Sequence, residues 1–249
     1  MIPRWGPLAA LVLAQIGYPL ASGEVRTVLA VLTVVLGFAV SVGHALATRG
    51  VRVCGVLVAV TAAGGLAVEA VGVGTGLPFG EYEYGGMLGP KALGVPIVIP
   101  LAWTWMAWPA WLVAGHLVRR TPARVALAGL GLAAWDLFLD PQMVDEGYWT
   151  WTAPLSATLP GVDTVPVCNY AGWLAIAVLM MAVFAGTAGQ GAMWTDRHDD
   201  APMLALYVWT YLSSVLAHAV FLDLPASALW GGVGMGLVAV PLVVRLVRR

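Results

Sequence analysis

The chain has 249 residues, of which 60% are hydrophobic and only 10% are charged. A soluble domain carries roughly 25% charged residues, so this composition excludes an ordinary soluble protein and indicates a polytopic protein of the lipid bilayer. The net charge of −1 and the absence of a basic tract in the sequence argue against a nucleic-acid partner.

Eight apolar segments follow one another along the chain, most of them near the length of about 20 residues that a membrane-spanning helix needs. The fifth is the shortest, and without it the number of spans would be seven. We therefore predict an all-α, polytopic membrane helix bundle in which residues 1–249 form a single integral-membrane domain. The predicted spans are 5–22, 26–48, 52–74, 93–118, 124–140, 169–190, 203–222 and 226–247.

Basic residues are divided unequally between the two sides of this bundle. One side carries ten of them, and the other carries only Arg26 and Lys91. Since the basic side of a membrane protein is usually cytoplasmic, we predict a multi-pass protein of the cell membrane with both termini in the cytoplasm. The ten residues are Arg4, Arg49, Arg52, Arg119, Arg120, Arg124, Arg197, Arg245, Arg248 and Arg249.

Three carboxylates interrupt the spans in the half of the bundle opposite to these arginines. Glu69 lies in the third span, while Asp136 and Asp140 lie near the end of the fifth. The two aspartates are four residues apart, so they share one face of a helix. Pro141 disfavours a helical conformation at Asp140, which predicts that the helix ends there. Asp136 is then the buried member of the pair and Asp140 the member at the mouth.

Carboxylates inside a membrane span carry a free-energy cost. An ionised Asp near the centre of a membrane helix costs about 2.5–3.5 kcal/mol, and two neighbouring like charges oppose each other. We therefore expect Asp136 to remain protonated near neutral pH, as a proton donor must. Structural roles are the alternatives: Asp140 could form a turn before Pro141, and Glu69 could only accept hydrogen bonds. His218, on an apolar face of the seventh span, is expected to be a hydrogen-bonded core residue.

Aromatic residues accompany the acids. The fourth span contains LAWTWMAWPAW, the following long loop contains YWTW, and the sixth span begins NYAGW. Tryptophans of membrane proteins often form a belt at the bilayer surface, but buried rings also stabilise a cation by about 2 kcal/mol or more. We predict a hydrophobic tunnel that opens between spans three to six and is lined by Tyr84, Trp103, Trp149 and Trp173.

Four segments resemble, in the same order, the carotenoid biosynthesis proteins that include bisanhydrobacterioruberin hydratase and carotenoid 1′,2′-hydratase. One departure from that family pattern is GVDTVPVCNY, where an aromatic–Gly pair is expected ahead of the Val-Pro. The matching segments are EAVGVGTGLPFGEYEYGGMLGPKALGVPIVIPLAW (69–103), AWDLFLDPQM (134–143), GYWTW (147–151) and VPVCNYAGW (165–173).

The resemblance implies an enzyme that adds water to the terminal isopropylidene double bond of an acyclic carotenoid of the bisanhydrobacterioruberin or lycopene type. Asp136 is the predicted general acid, with Glu69 as the alternative donor, and Asp140 accepts the proton of the incoming water. No cofactor or metal is implied, and another carotenoid-biosynthesis enzyme, such as a prenyl elongase, is a possible partner. The residues predicted to bind the substrate are Tyr82, Tyr84, Trp103, Trp149, Trp151, Asn169 and Trp173.

Other functions are compatible with the same residues. A carotenoid cyclase or isomerase would begin with the same protonation of an alkene but trap the cation without water. A non-catalytic carotenoid-binding or transport protein would use the acids for binding. A retinal-binding opsin is excluded, because it needs a lysine inside a span and the only lysine, Lys91, adjoins a long loop.

Overall fold

The computed structural model describes residues 5–153, 157–193 and 196–248, so Arg4 and Arg249 of the basic set lie outside the described residues. It confirms the predicted all-α class. The helices are α1 (Gly6–Leu20), α2 (Gly23–Val58), α3 (Gly64–Thr75), α4 (Val98–Leu117), α5 (Thr121–Asp145), α6 (Val167–Thr187), α7 (Gln190–Met193), α8 (Arg197–Val220) and α9 (Pro225–Val247), and a π-helical segment, Ala59–Ala63, joins α2 to α3.

The helical run from α2 to α3 folds back on itself. Gly50 has a φ angle of 83°, a conformation that glycine adopts without a steric penalty. Beyond it, Cys54 Sγ lies 3.7 Å from Val42 O, although the two residues are 12 apart in sequence and would be about 18 Å apart in a straight helix. Residues 23–49 and 51–75 therefore form two adjacent helices, as the second and third predicted spans require.

Length and composition agree with a multi-pass membrane protein. Six of the described helical runs are long and apolar enough to cross a membrane, and one of these is the folded-back run Gly23–Thr75. The first helix, α1, is shorter, with 15 residues. Counting the two halves of the folded-back run separately and adding α1 gives the eight helical segments that the sequence predicted.

Helix α4 forms the centre of the bundle. Apart from Leu101, every residue from Val98 to Ala114 is buried. Its four tryptophans are therefore core residues. The alternative interpretation, in which they form a belt at the bilayer surface, is wrong for all four. Facing helices make room for these rings with glycine: a Cβ at Gly37 would lie 2.4 Å from the Trp105 ring. The tryptophans are Trp103, Trp105, Trp108 and Trp111.

The predicted end of the fifth span at Asp140 is wrong, because α5 continues through Pro141 to Asp145. A proline inside a helix leaves the carbonyl four residues earlier without its N–H partner. Here that carbonyl, Leu137 O, accepts a hydrogen bond of 2.7 Å from Ser227 Oγ of α9. His218 Nε2 of α8 lies 3.0 Å from the next carbonyl, Phe138 O. Contacts from two neighbouring helices thus support the helix past the proline, and His218 is the hydrogen-bonded core residue that was expected.

The two long loops meet in a short β-ribbon at the end of the bundle that carries Glu69. Strand β1 (Tyr82–Tyr84) pairs antiparallel with a later strand, Trp149–Trp151, with Tyr82 opposite Trp151 and Tyr84 opposite Trp149. Because alternate residues of a strand share a face, these four aromatic side chains lie on one side of the ribbon. The Trp149–Trp151 strand is β4. The remaining strands are β2 (Lys91–Ala92), β3 (Val95–Pro96), β5 (Thr158–Leu159) and β6 (Val162–Pro166).

Candidate active site

A cavity of about 30 Å³ lies between the β1–β4 ribbon and helices α3 to α6. We call it the acid cavity. A site needs about 10–15 Å³ to hold a water molecule, so this space has room for one or two. Nine of the ten predicted site residues line it, and Asp136 is the exception. The lining residues are Glu69, Phe79, Tyr82, Tyr84, Ile99, Ala102, Trp103, Leu139, Asp140, Trp149, Trp151, Asn169 and Trp173.

Glu69 is a buried hydrogen-bond acceptor at both of its carboxylate oxygens. Its Oε2 accepts from Tyr82 Oη at 2.6 Å and from Tyr84 Oη at 2.8 Å, and its Oε1 accepts from Trp103 Nε1 at 3.0 Å. Burial and the neighbouring Glu69 carboxylate raise the pKa of Tyr82 and of Tyr84, so both loop hydroxyls stay protonated as donors. Three donors around one carboxylate suit its ionised form.

Asp136 and Asp140 are joined by Asn169. The Asn169 amide donates to Asp136 Oδ2 at 2.9 Å and also to Asp140 Oδ2, and Trp149 Nε1 donates to Asp140 Oδ1 at 3.1 Å. Both aspartates are buried, with 0% and 3% of their surface exposed. Two ionised carboxylates this close and this dry would repel strongly, so one proton shared by the pair is the favourable arrangement.

One atom of the pair, Asp136 Oδ1, is buried without a hydrogen-bond partner among the described residues. Asp136 lies one helical turn before Asp140 on α5 and does not reach the acid cavity, whereas Asp140 does. The structure therefore brings the two carboxyls together, as predicted, but only Asp140 can touch a molecule in the cavity.

Aromatic rings enclose the acid cavity on several sides. Trp103 and Trp173 are stacked with their ring centres 3.8 Å apart and an angle of 7° between their planes. Across the ribbon, Tyr84 and Trp149 meet edge to face at 5.5 Å, and Tyr82 and Trp151 lie 5.9 Å apart. Such rings present negative π faces that attract a cation.

In place of the predicted tunnel between spans three to six, the structure has the small acid cavity. Tyr84, Trp103, Trp149 and Trp173 do line one space there, but the acid cavity is too small for a carotenoid chain. A larger cavity of about 340 Å³ lies on the other side of α5, between α1, α2, α5 and α8. We call it the lateral chamber.

Several residues around the site were missed by the sequence analysis. Phe79, Ile99, Ala102 and Leu139 line the acid cavity as apolar wall, and no feature of the sequence distinguishes them from other core residues. Ser227 supports α5 from a different helix, and only the packing of α9 reveals it. Within the described part of the chain, no group of three or more His, Cys, Asp or Glu side chains is arranged to hold a metal ion.

Comparison with known proteins gives the family. The model of the family described as "Carotenoid biosynthesis protein" matches residues 29–243. The chain belongs to the carotenoid biosynthesis protein family. The matched range contains Glu69, Asp140 and Asn169 of the acid cavity.

A curated relative with a similar sequence is bisanhydrobacterioruberin hydratase of Haloarcula japonica. The two sequences are 36% identical over 121 residues, which cover 45% of this chain and 39% of the relative. The alignment thus spans well under half of the relative's length. No solved structure matches the chain.

Proposed function

We propose that this member of the carotenoid biosynthesis family is a hydratase that adds water to the terminal isopropylidene double bond of an acyclic carotenoid. The observation that carries the proposal is a buried, Asn169-bridged carboxyl pair beside a water-sized cavity with aromatic walls. The similarity to a bisanhydrobacterioruberin hydratase supports the same reaction.

The first step is protonation of the alkene. Asp140 borders the acid cavity and Asp136 does not, so the proton shared by the pair is delivered from an Asp140 oxygen, with Asp136 behind it as the second proton-holding group. The alkene π electrons form a C–H bond at the less substituted carbon. A tertiary cation is left on the carbon that bears two methyl groups, and the pair has lost its proton.

The second step is stabilisation of that cation until water arrives. The rings around the cavity can face it, and a desolvated cation–π contact contributes about 2 kcal/mol or more. The Glu69 carboxylate adds a fixed negative charge, held by three donors in a site with little water. Fixed charges and dipoles of this kind act strongly where the local dielectric constant is low.

The third step is capture of the cation by water. A water molecule in the acid cavity forms the C–O bond, and the proton it loses returns to the Asp136–Asp140 pair. In sum, the alkene and one water molecule give a tertiary alcohol. The Asp136–Asp140 pair has regained its proton, and the reaction neither gains nor loses electrons. The balance of the reaction therefore requires no redox cofactor.

Product analysis tests this function directly. The protein is produced in a strain that makes lycopene or bisanhydrobacterioruberin, and purified protein is then incubated with the same pigment in ¹⁸O-labelled water. We expect a product heavier by one labelled water per modified end. An unchanged mass with a new ring would indicate the cyclase, and an unchanged pigment would indicate binding or transport; either result contradicts the hydratase.

We also propose that both termini face the cytoplasm, so that the acid cavity lies in the outer half of the membrane. The division of the basic residues supports this orientation. A reporter that is active only in the cytoplasm, fused after Arg249, should be active, and an inactive but stably produced fusion would contradict the orientation.

A further inference from the structure

The lateral chamber opens between helices α1 and α8. Its volume of about 340 Å³ lies within the range of about 300–1,000 Å³ that is usual for small-molecule sites. Exposed apolar side chains flank it on both helices: Ile16 and Leu20 on α1, Leu212 and Leu216 on α8, and Phe221 directly after α8. In a bundle that spans a membrane, such an opening faces the lipid, so a chain-like molecule can enter sideways.

The wall of the chamber also contains polar groups with no partner in the protein. Among the described residues, four polar groups of the chamber wall are buried without a hydrogen bond: the hydroxyls of Tyr18, Thr33 and Thr210 and the indole Nε1 of Trp105. Their exposed fractions are 7%, 9%, 1% and 3%. A buried polar group without a partner costs about 1–3 kcal/mol, so four around one cavity point to a ligand that supplies the partner.

Leu139 connects the chamber with the acid cavity. It is the residue of α5 just before Asp140, and its side chain lines both spaces. A ligand in the chamber therefore lies one apolar side chain away from the proposed proton donor. The Leu139 side chain has no polar group, so it makes no hydrogen bond or ion pair between the two spaces.

We propose that the lateral chamber binds the end of a carotenoid chain that carries a hydroxyl group, and that Thr33, Thr210 and Trp105 recognise this hydroxyl. Trp105 Nε1 can only donate, so it pairs with the hydroxyl oxygen, while a threonine accepts the hydroxyl proton. The rest of the polyene leaves through the opening between α1 and α8 into the bilayer. The inference rests on the proposed function for the identity of the chain and adds the hydroxyl as the recognised group.

Binding measured without turnover tests the chamber. Purified protein with Asp140→Asn, which should not convert its ligand, is titrated with two acyclic carotenoids of equal length, one with a terminal-region hydroxyl and one without. The shift of the visible absorption spectrum on binding reports the affinity. We expect the hydroxylated chain to bind more tightly, and Thr33→Val with Thr210→Val to weaken its binding roughly three- to tenfold per lost hydrogen bond while leaving the hydrocarbon unaffected.

Thr187→Val is the matched control. Thr187 is exposed on α6, and its hydroxyl donates to Val183 O of the same helix, so this change should leave both affinities as they were. Trp105→Phe provides a second variant of the chamber, should the double threonine variant not fold, and it should reduce the preference for the hydroxylated chain in the same way.

The source of the hydroxyl can be distinguished with two further ligands. One carries the hydroxyl on the terminal carbon that hydration produces, and the other carries it inward of an intact terminal double bond. Tighter binding of the first ligand indicates a product site, and tighter binding of the second indicates recognition of a substrate. Either result supports recognition of a hydroxyl group in the lateral chamber.

Equal affinities for hydroxylated and hydrocarbon chains, or variants that weaken both equally, would overturn the inference even if the enzyme hydrates its substrate. Co-purified phospholipid that fills the chamber and is not displaced by carotenoid would overturn it too. Failure of the hydratase reaction with an intact hydroxyl preference would refute only the proposed reaction, so the two failures are separable.

Discussion

Buried charge is handled in opposite ways at the two ends of the bundle. At the end remote from the acid cavity, the buried Asp200 carboxylate is paired with Arg49 Nη2 at 2.5 Å and contacts His116 Nε2 at 2.9 Å. Arg124, also buried, lies 4.1 Å over the Trp111 ring and donates to Met193 O at 2.8 Å. This cluster, which we call the paired end, joins α2 to α8 through the Arg49–Asp200 ion pair and also contains His116 of α4 and Arg124 of α5.

The acid-cavity end contains three buried carboxyls, and none of them is in an ion pair with a basic residue of the described chain. Their partners are neutral: two tyrosines, two tryptophans and one asparagine. Buried charges without a counter-charge are expensive, and a protein that retains them usually uses them in a reaction. From this comparison we propose that the paired end stabilises the fold and that the acid cavity is where the proposed reaction takes place.

The largest expected effect comes from removing the proton that Asp136 and Asp140 share. Asp140→Asn should lower the rate of carotenoid hydration by a factor of about 10²–10⁴, the usual loss for a missing general acid. Asp136→Asn should cause a comparable loss, since the shared proton needs both carboxyls. The rates are measured on purified protein, with the amount of folded protein checked by its thermal unfolding.

Asp145→Asn is the control for this pair, because Asp145 is the exposed last residue of the same helix, and it should hydrate at the wild-type rate. A folded Asp140→Asn protein with a near wild-type rate would show that Asp140 does not deliver the proton, and Glu69→Gln would then be the next variant to measure.

The second effect concerns the paired end and should appear in stability instead of activity. Asp200→Asn removes the carboxylate that pairs with the buried Arg49 guanidinium, and breaking a buried ion pair costs about 3–5 kcal/mol of unfolding free energy. Denaturant unfolding in detergent measures the loss, and turnover per folded molecule should be unchanged.

Asp163→Asn, in the exposed part of β6, is the control and should change neither the free energy of unfolding nor the turnover. If Asp200→Asn were as stable as the wild type but inactive, the assignment of structure to one end and chemistry to the other would be wrong.

The smallest effect tests how neutral contacts support the acid cavity. Ser227→Ala removes the hydroxyl that bonds Leu137 O beside Pro141, and an unpartnered buried carbonyl costs about 1–3 kcal/mol. Because Asp140 follows within one turn, the variant should also hydrate more slowly than the wild type. Unfolding and turnover are compared with Ser22→Ala, which replaces an exposed serine without a side-chain capping bond; equal values for both variants would exclude this supporting role.

Much of the candidate site could be read from residue types along the chain. Carboxylates and an asparagine inside apolar segments are rare enough to single out Glu69, Asp136, Asp140 and Asn169. EYEY and YWTW supplied four of the predicted aromatic residues, and the ribbon places their rings together on the acid cavity. These features depend on local chemistry, which does not change with the way the helices pack.

The errors arose where a property of one segment depends on another. Pro141 would end an isolated helix, but Ser227 and His218 from α9 and α8 bond to carbonyls beside it. The tryptophans of α4 would suit a bilayer surface, but α4 is surrounded by other helices. Arg49 and Asp200, which are 151 residues apart, give no sign in the sequence that they form a pair.

The sequence by itself therefore determined the membrane helix bundle, the polar and aromatic residues of the acid cavity and the resemblance to carotenoid biosynthesis proteins, because hydropathy, spacing and residue chemistry act within single segments. Only the tertiary structure decided that Asp140 and not Asp136 borders the cavity, that this cavity is water-sized, and that the large chamber lies beyond Leu139 between α1, α2, α5 and α8. Cavity volume and the hydrogen-bond partners of buried groups depend on side chains that different helices bring together, and their packing is a property of the whole fold.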